Sequence, residues 1–288
     1  MKSQDLMVKA SGVNLHVVDY GGEGETILLI HGFTTNARCW DAIAERLIEV
    51  YHVVAFDIRG RGESERPEQV YYDTTQYAED AKSILDYYKR DKAIIMGHSI
   101  GGNIGVVFAN SYPDRLSKLI LIDGGIGISD PRAVNYLLTS LERIDKLYPN
   151  FQTYIEENKQ NPHFTEWNEY IENYLRHDMK QLENGTLMCT VAKHAVYPST
   201  INRKVDLDEL NLNIKVPTLI MQAPYGVIEG EDAVKLFSPE KGKHLADLLP
   251  EGSRYVEIKD ANHYSIIFNK YEEVIREVIE FLHDTNKN

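Results

Sequence analysis

The 288-residue chain is predicted to be an α/β protein, a mostly parallel, doubly wound sheet with an inserted helical cap. Three observations predict it. Short, continuous apolar runs at 26–30, 51–56, 92–96, 116–122 and 216–221 have the character of strands buried on both faces. Helix-like stretches alternate with them, which implies parallel strands joined by crossovers. From about 124 to 213 that alternation stops, and tyrosines and charges replace the apolar runs.

In chain order, 6–10 and 13–20 flank Ser11-Gly12 and read as a hairpin. A flexible loop, Gly21-Gly22-Glu23-Gly24, leads into the strand 26–30, which ends on His31-Gly32-Phe33. The stretch 36–50 carries Ile43, Leu47 and Val50 between charges and reads as a helix capped near Asn36. The strand 51–56 ends at Asp57-Ile58-Arg59-Gly60-Arg61-Gly62. A second amphipathic helix, 73–88, places Tyr77, Ala81, Ile84, Leu85 and Tyr88 on one side. The strand 92–96 leads into Gly97-His98-Ser99-Ile100-Gly101, and 103–110 reads as a helix. Beyond the Pro113-Asp114 break, the strand 116–122 ends on Asp123-Gly124-Gly125.

The segment 124–213 is predicted to be a cap of several helices, and 1–123 with 214–288 the core domain. The sheet resumes at 216–221, 245–249 is helical and 255–258 is the last strand. Asp260-Ala261-Asn262-His263 is a loop, and 264–283 a terminal helix with Ile267, Tyr271, Val274, Ile275, Val278 and Leu282 in helical spacing.

Thirty-one basic side chains face 44 acidic ones, and the net charge of −13 argues against nucleic acid and anionic membrane as partners. Cys39 and Cys189 are the two cysteines; neither a disulfide framework nor a zinc site is indicated. The start lacks an apolar signal region and no run approaches membrane-spanning length. A cytoplasmic protein without metal or cofactor is expected, acting on a small molecule as a monomer or homodimer.

A Gly-x-Ser-x-Gly between strand and helix describes a sharp turn that raises one hydroxyl above the sheet edge. Gly97 and Gly101 remove bulk where strand and helix nearly touch. Serine is a poor nucleophile at neutral pH, so it needs a base within reach and an acid to fix that base's tautomer. His263 is the candidate base, since it occupies the loop between the last strand and the last helix. His98 precedes the serine and points away from it, which suits packing.

Together, His31-Gly32-Phe33 after the third strand, Asp57-x-Arg59-Gly60-x-Gly62-x-Ser64 after the fourth, Gly97-x-Ser99-x-Gly101 after the fifth and His263 after the last resemble the α/β-hydrolase fold superfamily over the whole chain. The resemblance implies an oxyanion hole made by the backbone N–H groups of Phe33 and Ile100. It also implies an acid, and here the sequence departs from the common pattern. Most members carry the acid just past the seventh strand, where this chain reads Gln222-Ala223-Pro224-Tyr225-Gly226 with no carboxylate at the usual distance. Glu229 or Asp232 serves if that loop is lengthened; a minority of members take the acid from the end of the sixth strand, where Asp123 stands 24 residues beyond the serine. Asp57 and Arg59 are expected to brace the loop below the site.

The resemblance implies a serine hydrolase cleaving a carboxylic ester or lactone through an acyl-enzyme on Ser99. Serine at the elbow speaks against the epoxide-hydrolase and haloalkane-dehalogenase branches. C–C bond hydrolases, amidases and cofactor-free peroxidases share the triad, and a non-catalytic ligand receptor is the rival of another class. Tyr136, Tyr148, Tyr154, Tyr170, Tyr174 and Tyr197, with Trp167, read as the core of the cap, as the lining of a substrate pocket, or as both, and the number of tyrosines points to an apolar or aromatic acyl or alcohol group on the substrate.

Overall fold

Strands β1 (Gln4–Ala10), β2 (Val13–Gly21), β3 (Thr26–Ile30), β4 (His52–Phe56), β5 (Ala93–His98), β6 (Leu116–Ile122), β7 (Thr218–Gln222) and β8 (Arg254–Glu257) form one sheet in the order β1-β2-β4-β3-β5-β6-β7-β8. The computed structural model describes residues 3–133, 141–196, 205–226 and 234–284. The β1/β2 and β2/β4 pairs are antiparallel, and the rest of the sheet is parallel. Every residue of β3, β4, β5 and β7 is buried, as helices on both faces require. The seventh strand starts at Thr218 and not at Val216 because Pro217 has no N–H to give to a ladder.

Register decides what meets at the edge of this sheet. Ile30 of β3 pairs with Gly97 of β5, and His98 of β5 pairs with Ile122 of β6. The loops carrying His31, Ser99 and Asp123 therefore leave the sheet side by side. Ile122 lies opposite Met221 by way of the β6/β7 ladder, and Gln222 opposite Glu257 brings the loop after β8 to the same edge.

The helices follow the predicted faces with three differences, the first being that the 245–249 stretch is the end of a longer helix, Pro239–Leu248, capped by Ser238. The 36–50 stretch is a 3-10 turn, Ala37–Trp40, followed by an α-helix, Asp41–Leu47, and Asn36 caps it by accepting from the Arg38 N–H. The terminal helix is interrupted. A turn at Ser265–Phe268, buried on all sides, precedes the amphipathic helix Tyr271–Asp284. The N–H groups of Asn269 and Lys270 both close onto the Ser265 carbonyl, which ends the first turn.

The segment expected to be a purely helical cap also contains a sheet. Leu147–Tyr148, Leu187–Cys189 and Met179–Gln181 form a small antiparallel sheet in that spatial order, beside the helices Phe151–Asn158, Glu169–His177, Lys193–Val196 and Leu207–Asn211. Strands of two and three residues are too short to show a period of two in the sequence. The cap packs into the main core through Tyr148, Tyr154, Ile171, Tyr174 and Leu175. It is also tied by hydrogen bonds: Ala192 N to Gly60 O (2.8 Å), Arg66 Nη1 to Thr190 O (2.6 Å) and Asn168 Nδ2 to Phe268 O (2.8 Å). Among the described residues, no helix is long and apolar enough to cross a membrane.

Candidate active site

Ser99 sits between the last residue of β5 and the helix Ile100–Ser111, with φ at +56°. A non-glycine residue in the left-handed region costs conformational energy, so packing must hold it there. A Cβ at Gly97 would lie 2.2 Å from the Gly101 carbonyl, one at Gly101 2.0 Å from the Ile30 oxygen, and one at Gly124 2.1 Å from the Ser99 oxygen. Three backbones thus converge on the serine. Its N–H donates to Ile122 O at 3.0 Å, which fastens the elbow to β6.

Asp123 follows β6 and also has positive φ, +43°. Its N–H donates to Met221 O (2.8 Å) and its Oδ1 accepts from Ala223 N (3.2 Å), so β7 fixes the carboxylate. Its Oδ2 lies 2.6 Å from Nδ1 of His263. Both side chains are buried. A carboxylate against Nδ1 selects the tautomer with the proton on that nitrogen, and Nε2 is left as a proton acceptor. Ser99, His263 and Phe33 line one small cavity of about 10 Å³. The structure therefore brings together Ser99, His263 and Asp123, with Phe33 and Ile100 beside them. Glu229 and Asp232 lie outside the described residues.

His98 does more than fill space. Its Nε2 donates to the carbonyl oxygen of His263 at 2.8 Å, and the two rings stand 4.6 Å apart. Burial and the neighbouring His263 push its pKa well below the usual histidine value, so it stays neutral. The His263 N–H donates to Gly226 O at 2.7 Å, so the loop of the candidate base is held at both its amide and its carbonyl.

The loop after β3 is held carbonyl by carbonyl. His31 is fully buried, and its Nε2 accepts from Ile58 N (2.9 Å) while Nδ1 donates to Gly32 O (2.7 Å). Burial lowers its pKa to about 4. A trans peptide points its C=O and N–H in opposite directions, so fixing the Gly32 carbonyl aims the Phe33 N–H the other way. Arg61 Nε donates to Phe33 O at 3.1 Å, and from the cap Arg143 Nη2 donates to Thr34 O at 2.5 Å. Asp57 accepts from Ala37 N (2.7 Å) and Glu63 N (2.9 Å) and meets His16 Nδ1 at 2.8 Å. Arg59 makes a two-pronged pair with buried Asp80. These contacts keep Asp57 and Arg59 beneath the site. The parts played by His98, Arg61 and Arg143 were missed in the sequence because each partner is at least 28 residues away.

A larger chamber of about 550 Å³ opens between cap and core and shares Thr34 and Tyr264 with the serine cavity. Tyr148, Tyr154 and Tyr174 line it. Tyr170 instead donates to Glu45 at 2.8 Å and does not line the chamber, and Tyr136 and Tyr197 lie outside the described residues. Asp178, fully buried, accepts from Tyr154 (2.6 Å) and pairs with Arg143 at 3.0 Å. Among the described residues, no cluster of three or more His, Cys, Asp or Glu side chains could hold a metal ion.

The family described as "alpha/beta hydrolase fold" matches residues 25–270, and the chain belongs to it. Among curated relatives, N-formylmaleamate deformylase of Pseudomonas putida is 32% identical over 116 residues, which are 40% of this chain and 43% of that protein. Epoxide hydrolase 4 of Mus musculus is 37% identical over 120 residues, 41% of this chain and 33% of that one. The aligned stretch thus spans only about a third to two fifths of the length of such relatives. Over nearly the whole chain, the fold matches the crystal structure of E-2-(acetamidomethylene)succinate hydrolase, with a TM-score of 0.82 and 22% identity, covering 98% of this chain and 99% of that one.

Proposed function

We propose that the protein is a serine hydrolase that cleaves a carboxylic ester or lactone of a small molecule through an acyl-enzyme on Ser99. The observation that carries this reading is the 2.6 Å contact of Asp123 with His263 beside a serine held at positive φ. Ser99 Oγ attacks the carbonyl carbon while its proton passes to Nε2 of His263. The tetrahedral oxyanion is held by the N–H groups of Phe33 and Ile100, the second at a helix N-terminus where negative charge is favoured. The alcohol leaves with the proton from His263, and in a lactone it remains tethered. Water then attacks the acyl-enzyme by the same route. Asp123, against Nδ1, stabilises the imidazolium. The deformylase name of one relative makes amide cleavage the alternative bond.

Intact-mass labelling with a fluorophosphonate tests the reading. One adduct, lost in Ser99→Ala and His263→Ala, together with turnover of p-nitrophenyl esters, is expected. No adduct and no turnover in a folded sample would overturn it in favour of a ligand receptor. That second reading draws on the size of the serine cavity, about 10 Å³, which holds no more than a water.

A further inference from the structure

Polar groups buried in a protein are normally paired, and an unpaired one facing a cavity marks where a ligand atom is wanted. Two of the tyrosines of the 550 Å³ chamber follow the rule: Tyr154 donates to Asp178, and Tyr148 to Glu157 at 2.9 Å. Tyr174 and Tyr264 do not. They are 4% and 9% exposed, both line the chamber, and among the described residues neither hydroxyl has a hydrogen-bond partner. Their rings lean on Phe164, with centroids 6.4 and 6.1 Å from it, which sets them on one wall. Burial raises both phenol pKa values, and both remain protonated donors. Tyr264 also borders the serine cavity and follows His263 directly in the chain.

The geometry points to a substrate that bears a second oxygen acceptor, a carbonyl or a carboxylate, at the end remote from the scissile bond, seated between the hydroxyls of Tyr174 and Tyr264. This rests on the hydrolase reading above and replaces the apolar substrate expected from the number of tyrosines. An alkyl end in the chamber would strand two donors away from water. An oxygen there satisfies both, and each bond is worth about tenfold in discrimination.

Two measurements test it together. The first compares kcat/KM for p-nitrophenyl valerate, methyl p-nitrophenyl glutarate and p-nitrophenyl hydrogen glutarate in the wild type, Tyr174→Phe and Tyr264→Phe. The expected result is a wild-type preference of about tenfold or more for one or both glutarates, with that ratio falling about tenfold in each variant. The methyl and free-acid arms separate a carbonyl from a carboxylate ligand. Equal rates for all three esters, or a preference that survives both variants, would overturn the assignment. The second titrates Ser99→Ala with glutarate, dimethyl glutarate and hexanoate by calorimetry. Binding of a glutarate that weakens about tenfold with either tyrosine change, in a protein whose wild type turns over no ester, keeps the chamber assignment and removes the hydrolase reading. Ester turnover without any tyrosine-dependent preference does the reverse. Absence of both removes both.

Discussion

The carbonyl oxygen of His263 accepts a hydrogen bond from Nε2 of His98 across 2.8 Å, so the residue before the candidate nucleophile holds the loop of the candidate base. The contact joins the fifth strand to a loop 165 residues further along. A misplacement of about 1 Å in a catalytic group is enough to cost about 100-fold in rate. His98→Phe, which keeps the ring and removes the donor, is expected to lower kcat about 10- to 100-fold with KM little changed. His98→Gln returns an N–H near the same point and is expected to recover much of the loss. Steady-state kinetics of the two variants on one p-nitrophenyl ester decide it; equal, undiminished rates would reduce the bond to packing.

Asp123→Asn is the matching change on the acid side. Asparagine tolerates positive φ, so the backbone at +43° is not disturbed. The amide oxygen can still accept from Ala223, but an N–H then faces Nδ1 of His263 and the wrong tautomer is favoured. Turnover is expected to fall about 10³- to 10⁴-fold, with the thermal unfolding midpoint within a few degrees of the wild type. Near-normal turnover would pass the acid's role to Glu229 or Asp232.

Much of this site is legible in the sequence because local rules dictate it. Apolar runs fix the strands, glycines at 97 and 101 mark the close approach, and His263 falls in a short loop after the last strand. The acid is harder to read, since choosing among Asp123, Glu229 and Asp232 depends on which strand end lies against that loop. The cap is least legible. Its sheet consists of strands of two and three residues, with the helices Phe151–Asn158 and Glu169–His177 beside them, and segments so short carry no periodicity to read. The clamps on successive carbonyls of Gly32, Phe33 and Thr34 come from His31, Arg61 and Arg143. The last two arrive from distant segments, which no periodicity reports.

Stability should carry the mark of the two buried neutral histidines. His31, lowered to about 4 by burial, and His98, lowered well below 6.5 by burial and by the neighbouring His263, gain protons on unfolding below the ordinary histidine value of 6.5. Their folded pKa values are depressed, so their contribution is present above pH 6.5 and is lost as pH falls toward the folded values. His16, raised by its contact with Asp57, loses its contribution only above pH 6.5, outside that window. Asp80, pushed up to about 6 by burial, takes up a proton in the folded state and opposes the trend. The difference between wild type and His98→Gln isolates one group. Urea unfolding at pH 6 and pH 5 is expected to show the stability advantage of the wild type shrinking by about 1 kcal/mol. A pH-independent difference would mean that His98 is already protonated in the fold.

Asp178 is the point at which the cap's stability and the loop after β3 meet. It is fully buried and takes the guanidinium of Arg143 and the hydroxyl of Tyr154, while the same Arg143 donates to the Thr34 carbonyl. Removing one partner of a buried pair leaves the other charge uncompensated, at a cost of about 3–5 kcal/mol. Asp178→Ala is therefore expected to destabilise by that amount in urea unfolding. Asp178→Asn, which can still accept from both partners, should cost less. Arg143 freed from Asp178 loses its fixed position over Thr34, so the loop that carries the proposed oxyanion donor Phe33 loosens as well. In a sample still folded at low temperature, kcat should drop more than KM rises, because an oxyanion donor acts in the transition state and not on the bound ester. A rise in KM alone would show that the Arg143 link shapes substrate binding without reaching the Phe33 N–H.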